Sequence, residues 1–280
     1  MQHMGTVVKA SGQREQFQRR KLITSLIRVG APPGVAEEIA ETVEKSITPG
    51  ASTRQIYRRA KNLLKKHSSV CGMRYSLKRA ISSLGPSGYP FEKYFARVLE
   101  HYGYVVETNK IVQGQCVSHE VDIVAARGGD HSVIECKYHS NGGKATDVKI
   151  ALYVFSRFMD IREAAPHTDS FTVRQGWLVT NTRCTTEALK YAECVGLRVV
   201  SWRYPEEESL ERMVERKRLY PVTSLPSVNR GILATLFSSN VVLAQDVADM
   251  VLEEFAKRTG LDRRVASRVK RDADALCRCD

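Results

Sequence analysis

The sequence predicts a multidomain α+β and α/β protein: a mostly helical amino-terminal unit with a small β-hairpin, a central mixed β-sheet flanked by helices, and a small helical module at the carboxyl end. Three observations lead to this prediction. The stretch "GPSG" at 85–88 interrupts the chain, strand-like and helix-like segments alternate after it, and positive charge is concentrated before it. We therefore divide the chain into residues 1–87, 88–205 and 206–280.

The amino-terminal unit begins with "TVVKASGQREQFQRRKLITSLI", which predicts a short strand, a turn at Ser11–Gly12, a second short segment and a helix. Further helices are predicted over about 35–47 and from Ser52 or Thr53 through Lys66, with a break at Pro49–Gly50. A fourth helix is predicted over "RYSLKRAISSL". The unit is therefore expected to be mostly helical.

The central region starts with a helix that Pro90 can open, "FEKYFARVLEHYGY". Strands are predicted at "YVVETN", "HEVDIVAA", "SVIECKY", "GWLVTN" and "LRVVSW", with helices near 145–163 and at 185–195. This alternation predicts a largely buried sheet between helices. Helices are expected again in "EEESLERMVERKRL" and over most of 222–280.

The net charge of +12 comes almost entirely from residues 1–87, which contain 16 Lys and Arg against 5 Glu. This imbalance suits nucleotides or nucleic acid as partners, and a merely solvated basic surface is the alternative explanation. The seven cysteines show no zinc-binding spacing, so we expect reduced thiols. The sequence contains neither a long apolar run nor a secretory signal, and we expect a cytoplasmic protein.

Two charged residues interrupt an otherwise apolar strand in "VIECKY". Glu135 and Lys137 are two residues apart and therefore share one face of that strand. Asp122 lies in the preceding strand, and the "RGGD" turn predicts that the two strands form an antiparallel hairpin in which Asp122 can face Glu135. Either Glu135 and Lys137 form a structural ion pair, or a divalent cation such as Mg²⁺ lies between the carboxylates and the lysine orients its water.

Glu92 is a further candidate, since it lies in the first turn of the helix that precedes this hairpin. Its position between Phe91 and Phe95 would let it point toward the sheet and reach a metal through a water. A helix-start glutamate that favours the positive end of the macrodipole explains the same spacing equally well.

The order of these segments, "GYPFEKYFARVLEHYGY", "HEVDIVAA" and "VIECKYH", resembles the Mrr-type restriction endonuclease domain of the PD-(D/E)xK nuclease superfamily over about residues 86–205. The resemblance implies Mg²⁺- or Mn²⁺-dependent hydrolysis of DNA, with Asp122 and Glu135 as metal ligands. It also implies catalytic roles for Glu92, Asp122, Glu135, Lys137 and, on the following helix, Lys149. For Lys149 an exposed helix lysine is the alternative.

The segment "VVKASGQREQFQRRKL" resembles the ATP-cone, a small nucleotide-binding regulatory domain, over about residues 5–85. The resemblance implies ATP or dATP as a regulatory ligand. The residues that match its binding positions are Val7, Lys9, Glu15, Gln18, Lys21 and Thr53. Ala10 departs from the family, which often has a second basic residue there, and a basic helical domain that binds only DNA is the alternative.

The carboxyl-terminal segment "TGLDRRVASRVKRDADALC" predicts a short turn and a basic amphipathic helix. It is similar to a helix-hairpin-helix, and a helical packing or dimerisation segment explains it equally well. The sequence as a whole predicts a Mg²⁺-dependent DNA endonuclease regulated by ATP or dATP, acting as a homodimer. The competing hypothesis is a catalytically inactive, nucleotide-sensing DNA-binding regulator.

Overall fold

The structure is a computed structural model that describes residues 6–9, 12–48, 50–164 and 173–278. The predicted turn residue Ser11, the family departure at Ala10 and the predicted breaker Pro49 lie outside the described residues. None of the helices described is long and apolar enough to cross a membrane. The six described cysteines are free thiols.

The amino-terminal unit contains a two-stranded antiparallel hairpin followed by five helices. These elements are β1 (Thr6–Val8), β2 (Arg14–Gln16), α1 (Arg19–Arg28), α2 (Pro33–Glu44), α3 (Thr53–His67), α4 (Ser69–Tyr75) and α5 (Leu77–Ile81). Ser52 caps α3 in a reciprocal capping box with Gln55, as its position before the helix predicted. The single helix predicted over "RYSLKRAISSL" was wrong, because the Ser76 hydroxyl donates to the Gly72 carbonyl and the helix ends there.

This unit has an apolar core of its own. Its buried members are Leu22, Leu26, Val29, Ala31, Ala36, Ile39, Ala40, Val43, Ala60, Leu64 and Cys71. Strand β1 lies against the start of α3, where the Val8 N–H donates to the Ala51 carbonyl at 2.9 Å. The hairpin is therefore held at the amino-terminal end of α3.

The central domain is a five-stranded mixed sheet in the order β3-β4-β5-β6-β7. Its elements are α6 (Tyr89–His101), β3 (Val105–Gln113), β4 (Ser118–Arg127), β5 (Asp130–Lys137), α7 (Val148–Ala164), β6 (Val173–Thr180), α8 (Thr186–Val195) and β7 (Arg198–Val200). β3, β4 and β5 are antiparallel, and β6 and β7 continue in parallel. The predicted hairpin is confirmed, since Gly128 and Gly129 form its turn with positive φ angles of 62° and 86°.

The two faces of the sheet pack against different helices because successive strand residues alternate sides. Ile123, Ile134 and Val179 pack with α6, whereas Val124 and Val133 pack with Phe158 and Ile161 of α7. Leu178 packs with α7 and α8. Glu135 and Lys137 share the parity of Val133, so their side chains leave the sheet on the α7 side.

The carboxyl-terminal module is helical, as predicted. It contains α9 (Leu210–Lys217), a 3₁₀ helix (Val222–Ser224), α10 (Arg230–Ser238), α11 (Ala244–Asp249), α12 (Leu252–Thr259) and α13 (Arg263–Arg278). Its apolar side chains belong to the same core as α6 and one sheet face. Arg28 of α1 donates to both carboxylate oxygens of the nearly buried Glu211 of α9, at 3.1 and 2.8 Å, which ties the amino-terminal unit to this module.

Candidate active site

The β4–β5 ladder ends at the pair Ile123 and Ile134, immediately before Asp122 and Glu135. Beyond this pair, the Asp122 carboxylate itself accepts a hydrogen bond from the Cys136 backbone N–H at 2.7 Å. The side chain thus takes the place of a backbone acceptor, and it lies beside the strand segment that carries Glu135, Cys136 and Lys137. The predicted proximity of Asp122 to the "ECK" segment is confirmed.

Glu135 is held by a guanidinium from the neighbouring helix. Arg157 of α7 donates to the Glu135 carboxylate at 2.5 Å and also to the Glu120 backbone carbonyl. The guanidinium carbon of Arg157 lies 5.3 Å from the ring centre of Tyr153, one turn earlier on α7. Arg157 therefore links α7 to the start of β4 and to the centre of β5.

A cleft of about 520 Å³ opens beside these residues. Its lining comes from α6, β3, β4 and α7, and consists of Tyr89, Glu92, Asn109, Ser118, His119, Glu120, Asp122, Tyr153 and Arg157. Glu92 thus reaches the same cleft as Asp122, as its helix-start position allowed. Gly88 leaves room for it, since a Cβ atom there would lie 3.0 Å from Glu92 Oε1.

The carboxylates affect one another's protonation. Burial, together with the charges of Asp122, Glu135 and Glu120, raises the pKa of Glu92 to about 7. Burial and the Asp122 charge raise the pKa of Glu135 to about 7, against the opposing effect of Arg157 and Lys137. Burial also raises the pKa of Asp122, although the Cys136 N–H and Arg157 oppose the increase. The site therefore concentrates negative charge that a cation would stabilise.

The two predicted lysines lie in different surroundings. Lys137 is half-buried, and its charge opposes the increase in the pKa values of Asp122 and Glu135. It forms no ion pair within the described part of the chain. Lys149 is exposed at the start of α7. It lines neither the cleft that contains Asp122 nor a small pocket beside it that is lined by Glu135 and Arg157. The structure brings Lys137 to the carboxylates and does not bring Lys149 there.

The carboxylates in and beside the cleft suit a hard, hydrated cation. No group of three or more His, Cys, Asp or Glu side chains among the described residues is arranged to enclose a metal. Mg²⁺ does not need such a cage, because it binds through one or two carboxylates and keeps several waters. Asp122 and Glu135 supply that number of carboxylates. Residues that fit the ion are therefore present.

Sequence reasoning missed Arg157 and Tyr153. They follow Lys149 at intervals of four residues on α7 and so share its side of the helix. That spacing was a usable signal, since a cation two turns beyond Lys149 faces the same direction. Whether Lys149 or Arg157 reaches the carboxylates depends on the angle at which α7 crosses the sheet. The spacing of residues along the helix does not determine that angle.

Two histidines near the site have structural partners. His119 Nε2 lies 2.7 Å from Asp160 of α7, whose carboxylate also accepts from the Cys116 N–H and thereby fixes the β3–β4 loop. His139 exchanges two backbone hydrogen bonds with the buried Asn181 side chain, both at 2.8 Å. These contacts fix the two ends of the strands that border the cleft.

The predicted nucleotide-binding residues lie around the β1–β2 hairpin. Lys9 pairs with Glu15 at 2.8 Å, and Val7 is buried opposite Glu15 on the hairpin. Thr53 is the first residue of α3, beside Val8, while Gln18 precedes α1 and Lys21 is exposed in its first turn. A separate cleft of about 430 Å³ on the outer side of α3 contains none of these six residues.

Comparison with protein families and known proteins agrees with the architecture. A family model described as restriction endonuclease matches residues 85–204, and a model described as AF1548-like, C-terminal, matches residues 220–277. The central domain is therefore a restriction-endonuclease-like domain. An uncharacterized protein of Archaeoglobus fulgidus is 40% identical over 178 residues, which make up 64% of this chain and 97% of that protein. The chain belongs to the family of AF1548-like proteins.

Two solved structures are similar to parts of this chain. The crystal structure of the protein of unknown function AF1548 has 36% sequence identity and a TM-score of 0.59, and the match covers 68% of this chain and 98% of that chain. A second match is the MspJI restriction endonuclease in complex with a 27-mer oligonucleotide. It has 13% identity and a TM-score of 0.36, and the match covers 75% of this chain and 44% of that chain.

Proposed function

We propose that this protein is a divalent-metal-dependent endonuclease that hydrolyses phosphodiester bonds of DNA. The observation that carries the proposal is the convergence of Glu92, Asp122 and Glu135 with Lys137 at one end of the β4–β5 hairpin. The restriction-endonuclease family match over the same residues supports it. The charges of Asp122 and Glu135 raise the pKa of Glu92, and the charge of Asp122 raises that of Glu135, so the ionised carboxylates are unfavourable together without a cation.

Each residue has a distinct role in this proposal. Asp122 and Glu135 would hold Mg²⁺ or Mn²⁺, and Glu92 would support the ion through a water. A bound divalent ion supplies a water of lowered pKa and a positive charge for the phosphate oxygens. The Lys137 ammonium group would orient an attacking water by hydrogen bonding and would stabilise charge that develops on the phosphate. Arg157 would orient the Glu135 carboxylate, and its charge opposes the increase in the pKa of that group.

Basic residues outside the cleft would hold the DNA backbone. Residues 1–87 carry most of the excess positive charge, and α1 and α9 join that unit firmly to the rest of the chain. Binding that depends on phosphate contacts weakens steeply with salt. A duplex has two strands to cut, and we propose that two copies of the chain act together as a homodimer.

The amino-terminal unit would sense ATP or dATP at the β1–β2 hairpin. Lys9 and Lys21 would provide point charges for phosphates, and Thr53 would offer a hydroxyl and the amino-terminal end of α3. The Lys9–Glu15 ion pair would have to open or shift when a phosphate binds. No phosphate-loop motif is present in the sequence, so the nucleotide would act as a ligand that is sensed.

Plasmid nicking tests the proposal. The parent protein is expected to nick or linearise supercoiled DNA with Mg²⁺ or Mn²⁺ and to lose this activity in EDTA. Asp122→Ala is expected to be inactive under all conditions. Equal activity of the two proteins would remove Asp122 from the mechanism. A parent that binds DNA and never cuts it, with or without ATP and dATP, would favour the inactive regulator.

A further inference from the structure

A further cleft lies where the amino-terminal unit meets the carboxyl-terminal module. It has a volume of about 270 Å³, and its walls are α3, α4, α5 and the segment Thr223–Val228. The polar residues that define its character are Lys61, Lys65, Ser76, Arg79, Thr223 and Ser224. It contains none of the carboxylates of the candidate active site and none of the hairpin residues expected to bind nucleotide.

Three cations face this cleft without an acidic partner. Lys61, Lys65 and Arg79 form no ion pair with any carboxylate in the described part of the chain. Burial and the like charges of Arg79 and Lys65 lower the pKa of Lys61. Lys61 is half-buried, whereas Lys65 and Arg79 are exposed. Neighbouring like charges repel one another, and a bound anion would reverse the sign of the interaction.

The opposite wall holds an unsatisfied hydroxyl group. Ser224 is only 6% exposed, and its Oγ has no hydrogen-bond partner among the described residues. Buried hydroxyl groups in folded proteins nearly always have a partner, so this one keeps an unused hydrogen-bonding capacity. Neighbouring contacts fix its position, because the Ser224 N–H donates to the Pro221 carbonyl at 2.9 Å and the Thr223 hydroxyl donates to the Ala80 carbonyl at 2.7 Å.

The basic wall is also held rigidly. At Gly72 a Cβ atom would lie 3.2 Å from the Lys65 Cβ and 3.3 Å from the Lys65 Cα. The absence of a side chain therefore lets α4 contact the backbone of α3 directly beneath Lys65. This contact places Lys65 and Lys61, one turn apart on α3, along the same side of the cleft.

We propose that this junction cleft is a binding site for a phosphate group, which Lys61, Lys65 and Arg79 would neutralise and to which the Ser224 hydroxyl would donate. The phosphate could come from a free nucleotide or from a DNA strand, since the charges and the hydroxyl recognise either source. Because the cleft has walls from two parts of the chain, an occupied site would fix the amino-terminal unit against the carboxyl-terminal module.

Binding measurements on the full chain test this proposal. Three probes are used without divalent metal: inorganic pyrophosphate and ATP by calorimetry, and a labelled short DNA duplex by fluorescence anisotropy. The variants are Lys61→Gln and Ser224→Ala. Lys190 is an exposed residue of α8 outside the cleft, so Lys190→Gln is the matched control for the loss of one positive charge. Lys21→Gln separately tests phosphate binding at the β1–β2 hairpin.

The proposal predicts that Lys61→Gln weakens the binding of pyrophosphate, and of either ATP or the duplex, by about 10-fold or more. Ser224→Ala is expected to weaken the same binding by several-fold. Lys190→Gln should bind as the parent does. If the variants bind ATP more weakly but the duplex normally, a free nucleotide is the source of the phosphate. If they bind the duplex more weakly but ATP normally, the source is DNA. Unchanged binding of all probes in both variants would overturn the proposal. Ser224→Ala removes one oxygen atom, so it keeps the test valid even if the lysine variant fails to fold.

Discussion

The Asp122 carboxylate accepts a hydrogen bond from the Cys136 backbone N–H at 2.7 Å, at the point where the β4–β5 ladder ends. Cys136 lies between Glu135 and Lys137 in the chain, so this bond holds Asp122 next to both of them. Because the acceptor is a side chain, the two strands can separate here without leaving the Cys136 N–H unsatisfied. The charged residues therefore gather at a position where the sheet opens.

Asp122→Asn separates the structural role of Asp122 from its chemical role. Asparagine keeps an oxygen for the Cys136 N–H and removes the negative charge. We expect the variant to fold with nearly the parent's melting temperature and to cleave DNA at least about 100-fold more slowly, since a metal ligand is lost. Asp147→Asn, an exposed acidic residue outside the cleft, is the control and should cleave normally. Near-parent cleavage by Asp122→Asn would contradict the assignment.

Lys137→Gln tests the role of the ammonium group. The substitution removes a charge that opposes the raised pKa of Glu135 but leaves both proposed metal ligands in place. The expected result is a fall of roughly 100-fold in the rate of the chemical step, with little change in DNA affinity. Single-turnover cleavage and fluorescence anisotropy measure the two quantities separately. A loss of DNA affinity with a normal cleavage rate would make Lys137 a binding residue only.

Lys149→Gln distinguishes a catalytic lysine from an exposed one. The family resemblance implies a catalytic role, whereas the side chain lies outside the cleft that holds the carboxylates. Its location predicts a weaker and more salt-sensitive association with DNA and an unchanged single-turnover rate at saturating protein. A large loss of that rate would show that the helix or the lysine moves toward the site when DNA binds.

Arg157→Gln is expected to shift the pH dependence of cleavage. Arg157 lowers the pKa of Glu135, so its removal raises that pKa further and leaves the carboxyl group protonated at higher pH. Activity measured from pH 6 to pH 9 should rise at a higher pH than in the parent and recover at the alkaline end. Arg162→Gln on the same helix is the control. An identical pH profile for Arg157→Gln would remove the guanidinium from the titration of the site.

Glu92→Gln tests the electrostatic strain of the metal-free site. The folded-state pKa of Glu92 is about 7, above the ordinary value of 4.5. Its contribution to stability is therefore complete below pH 4.5 and is lost as the pH rises toward 7. In EDTA, the free energy of unfolding of Glu92→Gln should increase relative to that of the parent across this pH range. Above the range, the difference between the two proteins should stay constant. Denaturant unfolding at several pH values measures the difference. A constant difference would contradict the raised pKa.

Local patterns predicted most of the central domain. Alternating apolar residues located all five strands, and the two glycines of "RGGD" identified the hairpin that aligns Asp122 with Glu135. The break at Ser76 was missed because it depends on one hydroxyl–carbonyl bond inside an otherwise helical pattern. Periodicity reports the face of an element, and it does not report such a bond.

Only part of the candidate site was predicted, because the sequence shows local features and does not show long-range contacts. Glu92, Asp122, Glu135 and Lys137 are short-range features of a helix start and a hairpin, and their spacing is visible in the chain. Arg157 comes to Glu135 through the packing of α7 against the sheet, a long-range contact that no local pattern encodes. The junction cleft depends likewise on packing between residues about 160 positions apart, such as Lys65 and Ser224.

The most direct test of the central claim is an anomalous diffraction measurement on crystals soaked in Mn²⁺. The account predicts one strong anomalous peak within coordination distance of both the Asp122 and Glu135 carboxylates, at about 2.0–2.3 Å, together with ordered waters near Lys137. The same soak of Asp122→Asn crystals should show a much weaker peak or none. Two results from fully soaked parent crystals would contradict the proposed metal site. One is the absence of a peak at these carboxylates, and the other is a cation bound elsewhere while Arg157 stays paired with Glu135.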